Sequence, residues 1–232
     1  MKTLIYVPII HMSADLGSLA KDVTKRGITS LGEEVWKEHM RTVEGFWEAI
    51  SRYFDSIDVS GIKIYQDGMI AEEEVGQKIV EEGIKVGSKN YELVSRLLQK
   101  GAILVKTEDF ALVKRERDYL VELTKAMTRI GKLIAYLKYR LIKNGLLRKR
   151  DEFIASKINE TLNLEETGIL FIGAYHEVIP KLAEDTQVKE IKDARKIREY
   201  QEAFSHGKGG TKRFKELSEY LLSPPSSAFD KC

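Results

Sequence analysis

Of the four histidines in this 232-residue chain, two stand just beyond apolar runs. His11 comes after Thr3 to Ile10 (TLIYVPII), and His176 comes three residues after Gly168 to Gly173 (GILFIG). Short β-branched apolar runs read as strands buried on both faces. Open α/β sheets build their sites outside the carboxyl ends of strands. If the two strands are parallel neighbours, the imidazoles converge. Imidazole is both a neutral metal ligand and a general base near pH 7. Carboxylates stand at the ends of the other strand candidates: Asp67 after 61–66, Glu108 and Asp109 after 102–106, and Glu177 beside His176. A mixed set of His and carboxylate with open positions suits a divalent Mn, Fe or Zn ion. The competing reading is that each His only satisfies a loop hydrogen bond. His39, on an aromatic helix face, reads as structural, and His206 as solvent-facing.

Positioning such groups requires strands joined by long helical segments, which implies mostly parallel pairing. Helical periodicity predicts helices over 31–54, 71–86, 89–99, 148–162, 187–204 and 212–222. From about 108 to 143 the chain reads as one long helix closed by Asn144-Gly145. Within it Leu120, Leu123, Met127, Ile130, Ile134, Leu137 and Leu141 form a heptad-like seam. That seam should be buried, against 148–162 folded back as a hairpin or against a second subunit. Pro8 suits neither side of a central ladder, so the first strand should bend or lie near an edge. The fold class expected is α/β, a small mostly parallel sheet with abundant helices. Residues 1–222 form a single domain, with a flexible tail over 223–232.

Composition narrows the function classes. Hydrophobic residues are 43% and charged residues 32%, as in a globular chain. Lys and Arg (38) nearly balance Asp and Glu (36), which argues against a surface built wholly for nucleic acid. The single cysteine, Cys232, excludes an intrachain disulfide and a cysteine metal site, and a reducing, cytoplasmic setting follows as the expectation. No stretch approaches the roughly 20 apolar residues of a membrane span, so no membrane partner is expected. Scarce Asn and Gln beside abundant Lys and Glu give a thermophile-like balance.

Glu116-Arg117-Asp118 lies early in the long helix. A helix start near a strand-end cleft could aim Arg117 at an anionic intermediate and Glu116 at a metal or water; a solvated first turn explains the same charges. The segment 169–181 (ILFIGAYHEVIPK), with Gly173 and His176, resembles the C-terminal Gly-x-x-His motif of the TraB/Tiki superfamily. The segment 115–127 (RERDYLVELTKAM) resembles that family's central helix, which opens with Glu-Arg, and the strand ending in His11 resembles its first Gly-x-x-His. The three elements keep the family's order over about residues 1–182. The resemblance implies metal-assisted hydrolysis of an amide or ester bond in a small-molecule or peptide substrate. It implies His11, Glu116, Arg117 and His176 as the site. Asp67 joins His11 and His176 as a metal ligand by its place after a strand, and Glu177 or Glu116 would act as base. One departure is Pro8, which stands where the family has glycine. Two other classes fit the chain: a non-catalytic oligomeric module assembled through 120–141, and a polyanion or RNA binder using the basic stretch 138–150. The loop 207–210 (GKGG) lacks phosphate-loop spacing.

Overall fold

The computed structural model describes residues 1–12, 14–15, 20–125 and 129–226, with the backbone alone at residues 26, 124–125 and 129–134. Five strands form one sheet: β1 (Lys2–Ile9), β2 (Lys63–Gln66), β3 (Ile103–Val105), β4 (Thr167–Gly173) and β5 (Thr186–Glu190). The order is β3-β2-β4-β1-β5 and every pairing is parallel. The expected small parallel α/β fold is therefore present. Among the described residues there are eight α-helices: α1 (Ala20–Leu31), α2 (Glu33–Asp55), α3 (Glu73–Lys85), α4 (Lys89–Gln99), α5 (Phe110–Lys125), α6 (Arg129–Thr161), α7 (Ala194–Ser205) and α8 (Lys212–Leu222).

Strand alternation sends side chains to two faces, and both are covered. Ile5, Val7, Ile9, Ile64, Ile169 and Phe171 pack with the aromatic face of α2 and with α4, α7 and α8. Leu4, Tyr6, Tyr65, Leu170 and Ile172 pack with Ile154, Ala155, Ile158 and Leu162 at the end of α6. Apolar residues on both faces explain why these strands read as continuous runs. Pro8 lies in β1, one strand in from the edge of the sheet, in keeping with the near-edge expectation. Lys2 and Tyr6 direct their backbone bonds toward β5, and Thr3 toward β4. By alternation the nitrogen of Pro8 faces β5, whose pairing has ended opposite Tyr6. The missing N–H thus forfeits no ladder bond.

Two expectations about the helices need correction. The long helix does not run unbroken to 143; the chain forms α5 and α6, and α6 passes straight through Asn144-Gly145. Gly145 does not adopt the positive φ of a helix cap. Lys138 Nζ meets Glu122 Oε1 at 2.9 Å, and Arg150 meets Glu116, so the two helices run antiparallel as a hairpin. The expected seam is also displaced. Leu120 and Leu123 are half-buried, but Leu137 and Leu141 are exposed. Met127 lies outside the described residues, as do the side chains of Ile130 and Ile134. The inward row of α6 is Ala135, Tyr139, Ile142 and Leu146, also at heptad spacing. Strand β5 occupies the start of the expected 187–204 helix, and α1 had no counterpart in the sequence reading. Of the tail, Ser226 N–H donates to Ile191 O at 2.9 Å, tying 223–226 to the end of β5.

Candidate metal centre at the strand ends

β4 enters the sheet between β1 and β2, so residues far apart in sequence become neighbours at one edge. Gln66-Asp67-Gly68-Met69 is a tight turn closed by Met69 N–H to Gln66 O (3.0 Å). Gly68 has φ of 78°, a conformation glycine adopts without strain. The turn leaves Asp67 beside β4, its N–H bonded to Phe171 O at 2.8 Å. At the other strand the Gly-x-x-His spacing has a local cause: His176 N–H donates to Gly173 O (3.0 Å), and this turn folds the imidazole back over the strand end.

The groups meet at Asp67. Its Oδ2 lies 3.3 Å from His11 Nε2 and 3.6 Å from His176 Nε2, and accepts the Gly173 N–H at 3.0 Å. His11, Asp67 and His176 therefore come together as expected, but the group whose ligand atoms could share an ion has Glu108 where the sequence reading had His11. His176 Nδ1 lies 2.5 Å from Asp151 Oδ1, while Asp151 Oδ2 accepts the Glu177 N–H at 3.0 Å. This fixes the ring and leaves Nε2 facing Asp67. Glu108, fully buried after β3, is held by Arg150: Nε to Oε2 at 3.1 Å and Nη2 to Oε1. The same Nη2 reaches Asp67 Oδ1 at 2.7 Å, and Nη1 reaches Glu116. Asp67, Glu108 and His176 each offer a ligand atom, all within 4.8 Å of one another, and could hold a metal ion.

Electrostatics separates the two carboxylates. Burial opposes ionisation of Asp67, but the charges of His176 and Arg150 and the His11 hydrogen bond hold its carboxyl well below the usual range. For Glu108 burial wins over Arg150, and its pKa is raised. Burial lowers both histidines, yet Asp67 outweighs it in each case, helped by Asp15 at His11 and by Asp151 at His176, so both pKa values rise. His11 is the site's opening, with its side chain 40% exposed.

The remaining sequence expectations divide. Glu116 reaches the site indirectly, through Arg150. Arg117, expected to turn inward, is exposed on α5. Glu177, expected as a base, also exposes its side chain and contributes its backbone amide. Arg150, assigned from sequence to a basic patch, is the buried guanidinium instead. Asp151 was not singled out at all. The sign that could have found the pair is Arg150-Asp151 standing four residues before an apolar helical row, Ile154, Ala155 and Ile158. His39 is structural, as expected: it stacks on Phe204 at 3.8 Å, and its Nδ1 is 2.9 Å from Tyr200 Oη. Comparison of the chain with protein-family models, curated proteins and solved structures finds no match.

Proposed function

We propose that the chain is a metal-assisted hydrolase of amide or ester bonds, the activity that the TraB/Tiki resemblance implies. The carrying observation is the Asp67, Glu108 and His176 cluster at the carboxyl ends of three parallel strands. The donor set fits an ion: one imidazole and two carboxylates suit Mn, Fe or Zn, and Asp151 orients the imidazole. The space fits as well. A Cβ on Gly173 would lie 3.2 Å from Asp67 Oδ2, 3.4 Å from His11 Nε2 and 3.5 Å from His176 Cδ2, so glycine keeps the space beside the Asp67 carboxylate open.

Asp67, Glu108 and His176 would hold the ion, whose contribution when bound is Lewis acidity toward a carbonyl and acidification of water. Arg150 holds both carboxylates in place and offsets their charge. Four of its N–H contacts are used on Asp67, Glu108 and Glu116, which makes it a positioning residue and not a substitute for Arg117 at an oxyanion. His11, half-exposed and backed by Asp67, would take a proton from attacking water and return it to the leaving group.

Elemental analysis after loading with Mn, Fe or Zn and dialysis tests this reading. About one ion per chain is expected, lost in His176→Ala and Asp67→Asn, together with hydrolysis of an ester and amide panel. Wild-type protein that retains no ion from any of the three would overturn it. Of the two interaction readings, the oligomeric module rests on the 120–141 seam, which spans α5 and α6, and the polyanion binder on the basic stretch 138–150 of α6.

A further inference from the structure

α6 is 33 residues long, about 50 Å at 1.5 Å per residue. Only its end, from Ile154 onward, packs on the sheet. The part before Arg150 extends past the carboxyl edge with α5 alongside. On this arm Tyr136 (49%), Leu137 (46%) and Leu141 (83%) are exposed. Leu137 and Leu141 are one turn apart and share a face; Tyr136, Arg140 and Lys143 form the neighbouring ridge. Lys138, Arg140, Lys143, Arg148 and Lys149 are all exposed. From Arg129 to Lys149 the sequence has no Asp or Glu.

We propose that this stripe of α6, Leu137 and Leu141 flanked by Tyr136, Arg140 and Lys143, docks on an anionic phospholipid surface. An apolar stripe bordered by basic side chains is the pattern of a helix lying in a membrane interface, with leucine among the acyl chains and the cations at headgroup phosphates. A second copy of the chain is disfavoured by charge, because apposed stripes would bring Arg140 and Lys143 against their own kind. RNA would use the cations but leave Leu141 in water. No described helix is long and apolar enough to cross a membrane. Surface docking needs no spanning segment, so the absence of one does not bear on it.

Co-sedimentation of the full chain with phosphatidylcholine vesicles, with and without phosphatidylglycerol, tests the proposal. Binding is expected only to the anionic vesicles. It should weaken about fivefold for each of Arg140→Gln and Lys143→Gln, and about tenfold for Leu141→Gln. It should also fall at high salt. All three side chains are exposed, so circular dichroism and melting should match wild type, which separates lost docking from lost fold. The proposal is overturned by equal binding to neutral vesicles, by no vesicle binding, or by variants that bind as wild type. Retention on RNA without vesicle binding overturns it too, as does a dimer in solution that Leu141→Gln dissociates.

Discussion

Removing the cation at the centre of the cluster is the sharpest perturbation the structure offers. In Arg150→Met the apolar stem is largely kept, while Asp67 and Glu108 lose a guanidinium 2.7 and 3.1 Å away. Arg150 is only 9% exposed, Asp67 7% and Glu108 fully buried, so water cannot replace it. Stranding buried charges in this way costs about 3–5 kcal/mol; the more exposed Glu116 adds little. For a chain of this size the melting temperature should drop by roughly 6–20 °C at neutral pH. The pH dependence follows from Glu108, whose pKa is already raised from 4.5 in the fold. Without Arg150 it rises further, and the native state then binds a proton that the unfolded chain releases. Stability contributed by that proton is present at low pH and lost as pH rises through the folded pKa. The deficit against wild type should therefore be smaller near pH 4.5 than near pH 8, with the part due to Asp67, which stays ionised, present at both. Arg150→Lys keeps the charge but loses the fork, and should fall between. Urea unfolding across this pH range measures both effects. A loss below about 1 kcal/mol, or one unchanged between the two pH limits, would refute the view that Arg150 holds the carboxylates together.

Gly173→Ala should leave secondary structure intact yet weaken retention of the loaded ion, because the new methyl comes within 3.2 Å of Asp67 Oδ2; full metal retention in this variant would place the ion elsewhere. Asp151→Asn should weaken metal binding about 10–100-fold by releasing the His176 ring, and titration with Zn or Mn reads this directly. His39 is held neutral by burial, its pKa lowered to about 4 from 6.5. The unfolded chain binds the extra proton, so this contribution to stability is full above pH 6.5 and fades as pH falls toward 4. His39→Gln should recover about 2 kcal/mol of acid stability relative to wild type, allowing for partial exposure; identical unfolding curves between pH 7.5 and 4.5 would exclude this.

Strands β1 and β4 were legible because burial on both faces forces continuous apolar runs, and the helices α2, α3, α4 and α8 because one face of each meets the sheet. Strand β5 was not, since as an edge strand it carries Gln187 and Lys189 among its residues and lacks such a run. The convergence of His11, Asp67 and His176 followed from the rule that sites lie at carboxyl ends, together with short turns that hold each side chain near its strand. What failed was α6. Its apolar residues lie on two heptad rows, and periodicity cannot say which one faces inward; of the expected row, Leu137 and Leu141 face water. Arg150-Asp151 was missed for a related reason. A buried ion pair on a helix looks in sequence like the solvated charges beside it, here Arg148, Lys149 and Glu152. Arg117 shows the converse, a family-like position whose side chain stays in solvent.

The placement of Arg150 and Asp151 follows from helix and strand lengths. α6 runs back along the sheet from the carboxyl edge, and its last residue, Thr161, meets Lys63 at the start of β2. From Arg150 to Thr161 the helix rises about 17 Å at 1.5 Å per residue. From Thr167 to Gly173 β4 extends about 20 Å at 3.3 Å per residue. The two lengths nearly match, so Arg150 and Asp151 arrive over the strand ends as the helix leaves the sheet. Successive helical residues point about 100° apart, which lets one turn to Glu108 and Asp67 and the other to His176. The arm that carries Leu137 and Leu141 begins at the same two residues. Arg150 and Asp151 thus link the arm to Glu108, Asp67 and His176 by direct hydrogen bonds.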